Sequence, residues 1–300
     1  MQYIDFRQNS QEAAASLVDK VYDHLRLPES TFLGARITKK MLIESNELTS
    51  SEKKLVTEFI DSIVWRNTLK PDTVNIATYV TEKVEYFEVA VLQVILKERE
   101  GSRSQLKNIT KLLHNLIPYP LILFIQLGSD LALSLADKRI NQTDKTKLVV
   151  EHIYSSDWLG MDKLIDYENS FLNDFSLANV SSLNYCELYQ DFISMLISLQ
   201  ASRVSGVYTS INGSVVDHNQ KTPEDVIDKQ QSLASSDSSF FEKSNEEKTA
   251  ALLKMESLES ELASIRNKLK KETQMSEKIK LNVEARKIKK SIAAIRAELR

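Results

Sequence analysis

The sequence predicts an α+β fold, in which a mostly antiparallel five-stranded sheet with packed helices precedes a flexible linker and a C-terminal α-helical coiled coil or helical hairpin. Three observations support this prediction. Segments with a period of two, rich in β-branched and aromatic residues, follow helical segments. A stretch dominated by Ser, Asn, Asp and Gln comes next, and the last region lacks Gly and Pro. The expected boundaries are 1–204 for the α+β domain, 205–245 for the polar linker and 246–300 for the C-terminal helices.

The α+β domain is expected to begin with two helices. The first covers Ser10–Leu25, with a Ser cap and an acidic residue in its first turn. The second covers Ser50–Trp65, and Arg66 beside the helix C-terminal dipole favours its end there. Pro71 disfavours helix at the residue before it, so the first strand is expected to start at Thr73.

Five strands and two further helices are predicted after these. The strands cover 73–80, 83–95, 119–127, 131–140 and 147–155, and the helices cover 104–116 and 184–199. The first two strands read as a hairpin around Thr81 and Glu82, and Gly128–Asp130 forms a turn between the third and fourth. Runs of strands separated by few helices favour antiparallel pairing over repeated parallel βαβ units.

The C-terminal region shows two runs of apolar residues with alternating spacings of four and three. The runs are Ala251, Met255, Leu258, Leu262, Ile265 and Leu269, followed by Leu281, Ala285, Ile288, Ile292, Ile295 and Leu299. Sustained 3.5-residue periodicity is typical of coiled coils. Between the runs the register breaks at Lys270–Lys278, which is compatible with a helical hairpin or with one long helix containing a stutter. The runs could pair within the chain, with a partner protein, or in a homodimer.

The charge of the chain is concentrated at this end. The net charge is −3, so the whole molecule is not built to wrap nucleic acid, yet Ala263–Arg300 carries twelve Lys and Arg against four Glu. Such a basic segment can contact nucleic acid or an acidic partner, and it can equally be the solvated outside of a coiled coil. The candidate contacts are Arg66, Lys70, Lys270, Lys271, Arg286, Lys287, Lys289 and Lys290.

No catalytic constellation or cofactor site is evident in the sequence. The four histidines, His24, His114, His152 and His218, lack metal-ligand spacing, the single Cys186 excludes an internal disulfide, and no phosphate-binding Gly motif occurs. The one enzymatic alternative is a divergent metal-dependent nuclease. Its carboxylates on the first β-hairpin would be Asp72, Glu85 and Glu88, with Lys70 or Lys97 as the cation, although the Glu-x-Lys pattern of such cores is missing.

Several segments in order resemble a bacterial family. They are LPESTFLGARITKKMLIE, WRNTLKPDTVNI, EYFEV, IPYPLILFIQL, EHIYSSDWL and the tail LKKETQMSEKIKLNVEARKIKKSI. Together they are similar to the domain-of-unknown-function family numbered 4391, over roughly residues 25–200 and 255–300.

That family has no established activity, and its genes lie near DNA helicases and adenine-type DNA methyltransferases in restriction-like and antiphage islands. The resemblance therefore implies a non-catalytic accessory subunit of a DNA-processing defence complex. Its expected partners are helicase or methyltransferase subunits, and DNA through the basic tail. The longest apolar run, Pro118–Leu127, is too short to span a bilayer, so a cytoplasmic location is expected.

Overall fold

The structure is a computed structural model that describes residues 17–44, 48–145, 147–160, 164–210 and 244–298. The described residues fall into two compact units, the first within Met1–Ile165 and Leu172–Ile193 and the second within Asp166–Phe171 and Ser194–Arg300. Most of the predicted linker, 211–243, lies outside the described residues, as do residues 10–16 of the first predicted helix.

The elements follow one another along the chain as helices and strands of very different length. The helices are α1 Leu17–Leu25, α2 Lys39–Glu44, α3 Ser50–Phe59, α4 Pro71–Val74, α5 Leu106–Leu116, α6 Asp166–Asp174, α7 Tyr185–Ser205, α8 Asn245–Lys271 and α9 Met275–Glu298. The strands are β1 Phe32–Ile37, β2 Ile60–Leu69, β3 Tyr79–Val80, β4 Glu85–Tyr86, β5 Val89–Leu96, β6 Leu121–Leu127, β7 Asp130–Ile140, β8 Leu148–Ser155 and β9 Leu159–Gly160.

The first unit is built around a seven-stranded sheet with the order β1-β2-β5-β6-β7-β8, in which β9 also pairs with β7. Every pair in it is antiparallel except β5 and β6, which are parallel and joined by α5. The predicted α+β class with a mostly antiparallel sheet is thus confirmed. Strands β5 to β8 correspond to four of the five predicted strands, while β1, β2 and β9 were not expected.

The second predicted helix is wrong beyond Phe59. Helix α3 starts with a capping box, in which Thr49 and Glu52 exchange hydrogen bonds, but β2 begins at Ile60 and runs to Leu69. Residues such as Ile60 and Ile63 suit a strand as well as a helix, because β-branched side chains pack well on a pleated surface. Pairing with β1 on one side and β5 on the other decides in favour of the strand.

The predicted first strand is also wrong, because residues 71–74 form the short helix α4. Pro71 occupies the first helical position, where its missing N–H costs nothing, and Asn75 closes the turn with a φ of 54°. The expected hairpin shrinks to β3 and β4, a two-stranded sheet of its own. Its turn holds together through Thr81, whose hydroxyl accepts from the backbone N–H groups of Lys83 and Val84.

The core of the first unit lies between the sheet and helices α3 and α5. Val56 of α3 and Ile109 and Leu113 of α5 are fully buried in one cluster with Leu92 and Leu123 of the two parallel strands. Helix α7 adds Tyr189, whose hydroxyl donates to the Leu121 carbonyl at 2.7 Å and accepts from the Ala136 N–H at 3.0 Å. A phenol therefore satisfies backbone groups of two neighbouring strands, as burial requires.

In the second unit, α8 and α9 pack against each other as a helical hairpin. The turn needs neither Gly nor Pro, because the Glu272 carboxylate accepts from the backbone N–H groups of Thr273 and Gln274, both at 2.8 Å. The seam is made by heptad residues that are buried or half-buried. These are Ala251, Met255, Leu258, Leu262, Ile265, Leu269, Leu281, Ala285, Ile288, Ile292 and Ile295, while Leu299 lies outside the described residues.

Candidate functional site

The outside of the helical hairpin carries cations that have no carboxylate partner. Within the described residues, only Lys280 and Arg296 of α9 form ion pairs, with Glu277 at 2.6 Å and with Glu259 at 3.1 Å. Six predicted contact residues are exposed and form none. They are Lys270, Lys271, Arg286, Lys287, Lys289 and Lys290.

This charge lies toward the turn of the hairpin. Residues 245–262, at the start of α8, include five Glu and two Lys. Residues 266–290, which surround the turn, include ten Lys and Arg and three Glu. The half of the hairpin near the turn is therefore strongly positive, and the half far from the turn is not.

A shallow groove runs along one side of the hairpin, over the seam residues Leu262 and Ile292. Its polar lining comes from Glu259, Arg266, Lys289 and Arg296. The antiparallel register that pairs Glu259 with Arg296 also sets Arg266 opposite Lys289, and neither of these two cations forms an ion pair within the described residues.

Arg266 and Arg296 were missed as candidates by the sequence reasoning. A heptad count gives each helix its own buried face, but it does not say which flanking residues meet across the seam.

The outward face of α9 is apolar near the turn and basic further along. Met275, Ile279 and Val283 follow one another at intervals of four and are 72%, 59% and 48% exposed. Arg286 and Lys290 continue the same face. These five residues, here called the outer stripe, point away from the seam that α8 covers.

In the first unit, Arg66 lies in the middle of β2 at a β-bulge and not at a helix end. Its Nη1 donates to Gln93 Oε1 at 2.6 Å, and its guanidinium carbon lies 4.1 Å from the centre of the Tyr22 ring. Gln93 in turn donates to Gln126 Oε1 at 2.9 Å. A row of polar side chains thus crosses β2, β5 and β6, and its one charged member has an aromatic and an amide as partners.

Two of the three carboxylates in the nuclease alternative lie near each other. Lys70 Nζ is 3.7 Å from Glu88 Oε2. Burial raises the pKa of Tyr185, and the negative charges of Asp72 and Glu88 raise it further. The Tyr185 hydroxyl is buried and has no hydrogen-bond partner in the described part of the chain. Glu85 lies apart in β4 and pairs with Val80.

No group of three or more His, Cys, Asp or Glu side chains that could hold a metal ion occurs among the described residues. Cys186 at the start of α7 is half-buried, and burial raises the pKa of its thiol. A raised pKa lowers the thiolate fraction and hence the reactivity of a cysteine.

A second polar group is fully enclosed behind the sheet. His114 of α5 is 1% exposed, its Nε2 lies 3.1 Å from Ser134 Oγ, and burial lowers its pKa to about 3. Lys138 of β7 donates to the carbonyls of Ile117 at 2.5 Å and Tyr119 at 2.7 Å, and burial lowers its pKa to about 7. Because the Lys138 ammonium holds the segment between α5 and β6, its role is structural.

Residues 25–240 match the family model described as "Domain of unknown function (DUF4391)". The chain belongs to this family. The match begins at the last residue of α1 and ends before α8, so it does not include the hairpin that the resemblance of the tail suggested. No curated protein and no solved structure matches the chain.

Among the described residues, no helix is long and apolar enough to cross a membrane.

Proposed function

We propose that this protein is a non-catalytic accessory subunit of a bacterial antiphage or restriction-modification-like DNA-processing complex. Its helical hairpin contacts a partner helicase or DNA methyltransferase, or DNA itself. The observation that supports the proposal most directly is the set of exposed, unpaired cations around the turn of the hairpin. The setting of helicases and methyltransferases comes from the resemblance to the family and is part of the proposal.

A partner can contact the outward faces of the two hairpin helices but not the seam between them. The seam residues, which the sequence offers as an interface for a partner protein, are covered by the facing helix of the same chain. The outer stripe remains free to bind, because three of its side chains are large, apolar and about half or more exposed. Apolar residues flanked by cations suit a partner surface that combines apolar contacts with acidic groups.

Reversing two charges on the hairpin tests this proposal. Lys287→Glu/Lys290→Glu changes two exposed cations of α9, and Lys20→Glu/Lys53→Glu makes the same change of charge on α1 and α3. Each full-length protein is co-expressed with a helicase and a DNA methyltransferase of the kind that the proposal assigns as partners, purified by affinity and treated with nuclease. We expect the hairpin variant to lose its partners and the control to keep them, since like charges across an interface cost binding energy.

Binding to DNA is measured on the same proteins by fluorescence anisotropy with a labelled duplex at several salt concentrations. If the two cations contact duplex phosphates, the plot of log association constant against log salt concentration becomes shallower by about 1.8 in the hairpin variant. Partner association and a salt slope that both equal those of the control would contradict the proposal.

The alternative function, a divergent metal-dependent nuclease, has one observation in its favour. Asp72 and Glu88 come close to the buried, unpartnered hydroxyl of Tyr185, with Lys70 beside Glu88. Two carboxylates with a free hydroxyl can serve as oxygen ligands for a hard divalent cation. Titration with Mn²⁺ and incubation with DNA would show binding and cleavage that Glu88→Gln abolishes. The absence of both would exclude this alternative.

A further inference from the structure

The apolar part of the outer stripe occupies positions of α9 that face away from α8. In the heptad register of this helix, Ala285 and Ile288 hold buried positions of the seam. Ile279 and Val283 fall at outward positions, which are ordinarily polar because water surrounds them. These two side chains are nevertheless 59% and 48% exposed, and Met275, one turn before Ile279, is 72% exposed.

The outward positions of α8 have a different composition. Leu253 is 50% exposed there, and it is followed on the same side of the helix by the small polar residues Ser257, Ser260 and Ser264. The apolar residues of the outer stripe, in contrast, follow one another without interruption, so they form the longer exposed apolar surface among the described residues of the hairpin. Adjoining exposed apolar side chains with a charged rim are a feature of protein–protein contact sites.

The outward side of α9 carries no carboxylate up to Lys290, within the described residues. The two Glu residues of this part, Glu277 and Glu284, are seven residues apart and flank the seam. Arg286 and Lys290, at the basic end of the outer stripe, are exposed and form no ion pair in the described part of the chain. Because covering a cation without an anionic partner costs free energy, a molecule that binds here must bring its own anionic groups.

The spacing of the apolar residues suits a helix as the occupant. Met275, Ile279 and Val283 form one ridge of side chains four residues apart, about 12 Å long at a rise of about 1.5 Å per residue. Two helices commonly pack by placing such a ridge in a groove between ridges of the other helix. An extended segment suits this surface less, because α9 uses its backbone N–H and C=O groups internally and has none to pair with a strand. A phosphate backbone also suits it less, since it brings charge but no apolar group to cover the ridge.

We propose that the outer stripe binds an amphipathic helix of a partner protein. Apolar residues of that helix cover Met275, Ile279 and Val283, and its carboxylates lie next to Arg286 and Lys290. Amphipathic helices bind hydrophobic surfaces in this way, through anchors at positions i, i+3, i+4 and i+7. This role rests on the proposed function, in which the hairpin contacts a partner, and it assigns the outer stripe to a protein helix and not to DNA.

The test compares single substitutions at two exposed apolar sites of the hairpin. Ile279→Gln changes the outer stripe, and Leu253→Gln makes the matched change on α8, in both cases to a residue of high helix propensity. The affinity of each full-length protein for the helicase or DNA methyltransferase that co-purifies with the wild type is measured by isothermal titration calorimetry, and binding to a labelled duplex by fluorescence anisotropy. We expect Ile279→Gln to weaken partner binding by about tenfold or more and to leave duplex binding unchanged, and Leu253→Gln to change neither. Circular dichroism at 222 nm checks that both variants keep their helices.

Photo-cross-linking identifies the bound element. With p-benzoylphenylalanine in place of Ile279 or of Val283, the cross-linked residues of the partner should belong to one helix and lie within about one turn of an Asp or Glu. Cross-links to DNA, to a second copy of this chain or to an extended segment would overturn the proposal, and so would equal partner affinities of Ile279→Gln and Leu253→Gln. If Lys287→Glu/Lys290→Glu abolishes partner association while Ile279→Gln keeps full affinity, the proposed function stands and the role of the outer stripe falls. A wild-type protein that associates with neither a helicase nor a methyltransferase but binds the duplex leads to the same conclusion, and one that binds none of the three overturns both.

Discussion

Acidification should destabilise the first unit through His114. This side chain is enclosed between α5 and β7, and its pKa falls from 6.5 to about 3 because burial disfavours the charged imidazolium, with Lys138 adding repulsion. In the unfolded chain the same histidine takes up a proton below pH 6.5. The unfolded state therefore binds more protons between pH 6.5 and pH 3, and stability falls as the pH is lowered through this range.

The size of the effect follows from the two pKa values. At pH 4.5 the unfolded-state histidine is almost fully protonated and the folded one almost fully neutral, so the loss corresponds to 2 pH units, or about 2.7 kcal/mol. Above about pH 7.5 His114 is neutral in both states and contributes little further pH dependence. A neutral ring fits these surroundings better than an imidazolium. Nε2 has a partner in Ser134 Oγ at 3.1 Å, but Nδ1 has none within the described residues, so an N–H at Nδ1 would be buried without an acceptor.

The assay is urea unfolding at pH 7.0 and pH 4.5, followed by tryptophan fluorescence. Both tryptophans of the chain, Trp65 and Trp158, belong to the first unit, so the signal reports on that unit. His114→Gln removes the titrating group, and its loss of stability between the two pH values should be smaller than that of the wild type by about 2.7 kcal/mol. His24→Gln, on the exposed side of α1, should behave like the wild type. A difference below about 0.5 kcal/mol for His114→Gln would refute the argument from burial.

Two other substitutions test the packing of each unit. Tyr189→Phe removes the hydroxyl that accepts the hydrogen bond of the Ala136 N–H. It should lower the free energy of unfolding by about 1–3 kcal/mol in the fluorescence assay. Tyr79→Phe, at an exposed site, should change this free energy little. Leu262→Ala leaves a cavity in the hairpin seam and should lower the free energy of unfolding by about 2–5 kcal/mol, measured by circular dichroism at 222 nm. Ile279→Ala on the outer stripe should lower it by less than about 0.5 kcal/mol. Equal losses for Leu262→Ala and Ile279→Ala would mean that the heptad seam does not hold the helices together.

Local patterns predicted the elements whose neighbours all favour the same conformation. Strands β5 to β8 combine β-branched residues with clear turn signals, and α5 ends where Pro118 and Pro120 stop it. The heptad runs predicted the buried side of α8 and α9 correctly. The turn between these helices was less evident, because it is formed by the Glu272 side chain and carries no Gly or Pro.

Residues 60–65 show where local pattern reasoning fails. Ile60, Ile63 and Val64 satisfy a helical spacing together with Leu55 and Phe59, and the same residues suit the faces of a strand. The hydrogen bonds that decide between the two come from β1 and β5, which lie about 25 to 35 residues away in the chain. The parallel pairing of β5 and β6 has the same origin, since it requires α5 to cross over the sheet.

The sequence alone determined the α+β class, the central strands of the sheet, the seam of the C-terminal helices and the basic charge of that end. Each of these depends on residues close together in the chain, where propensity and periodicity act. The tertiary structure decided which distant groups meet: Arg66 with Gln93 and Tyr22, Arg266 with Lys289, and Tyr189 with Leu121 and Ala136. Such groupings depend on strand order, register and helix pairing, and these follow from the burial of the whole core and not from any single segment.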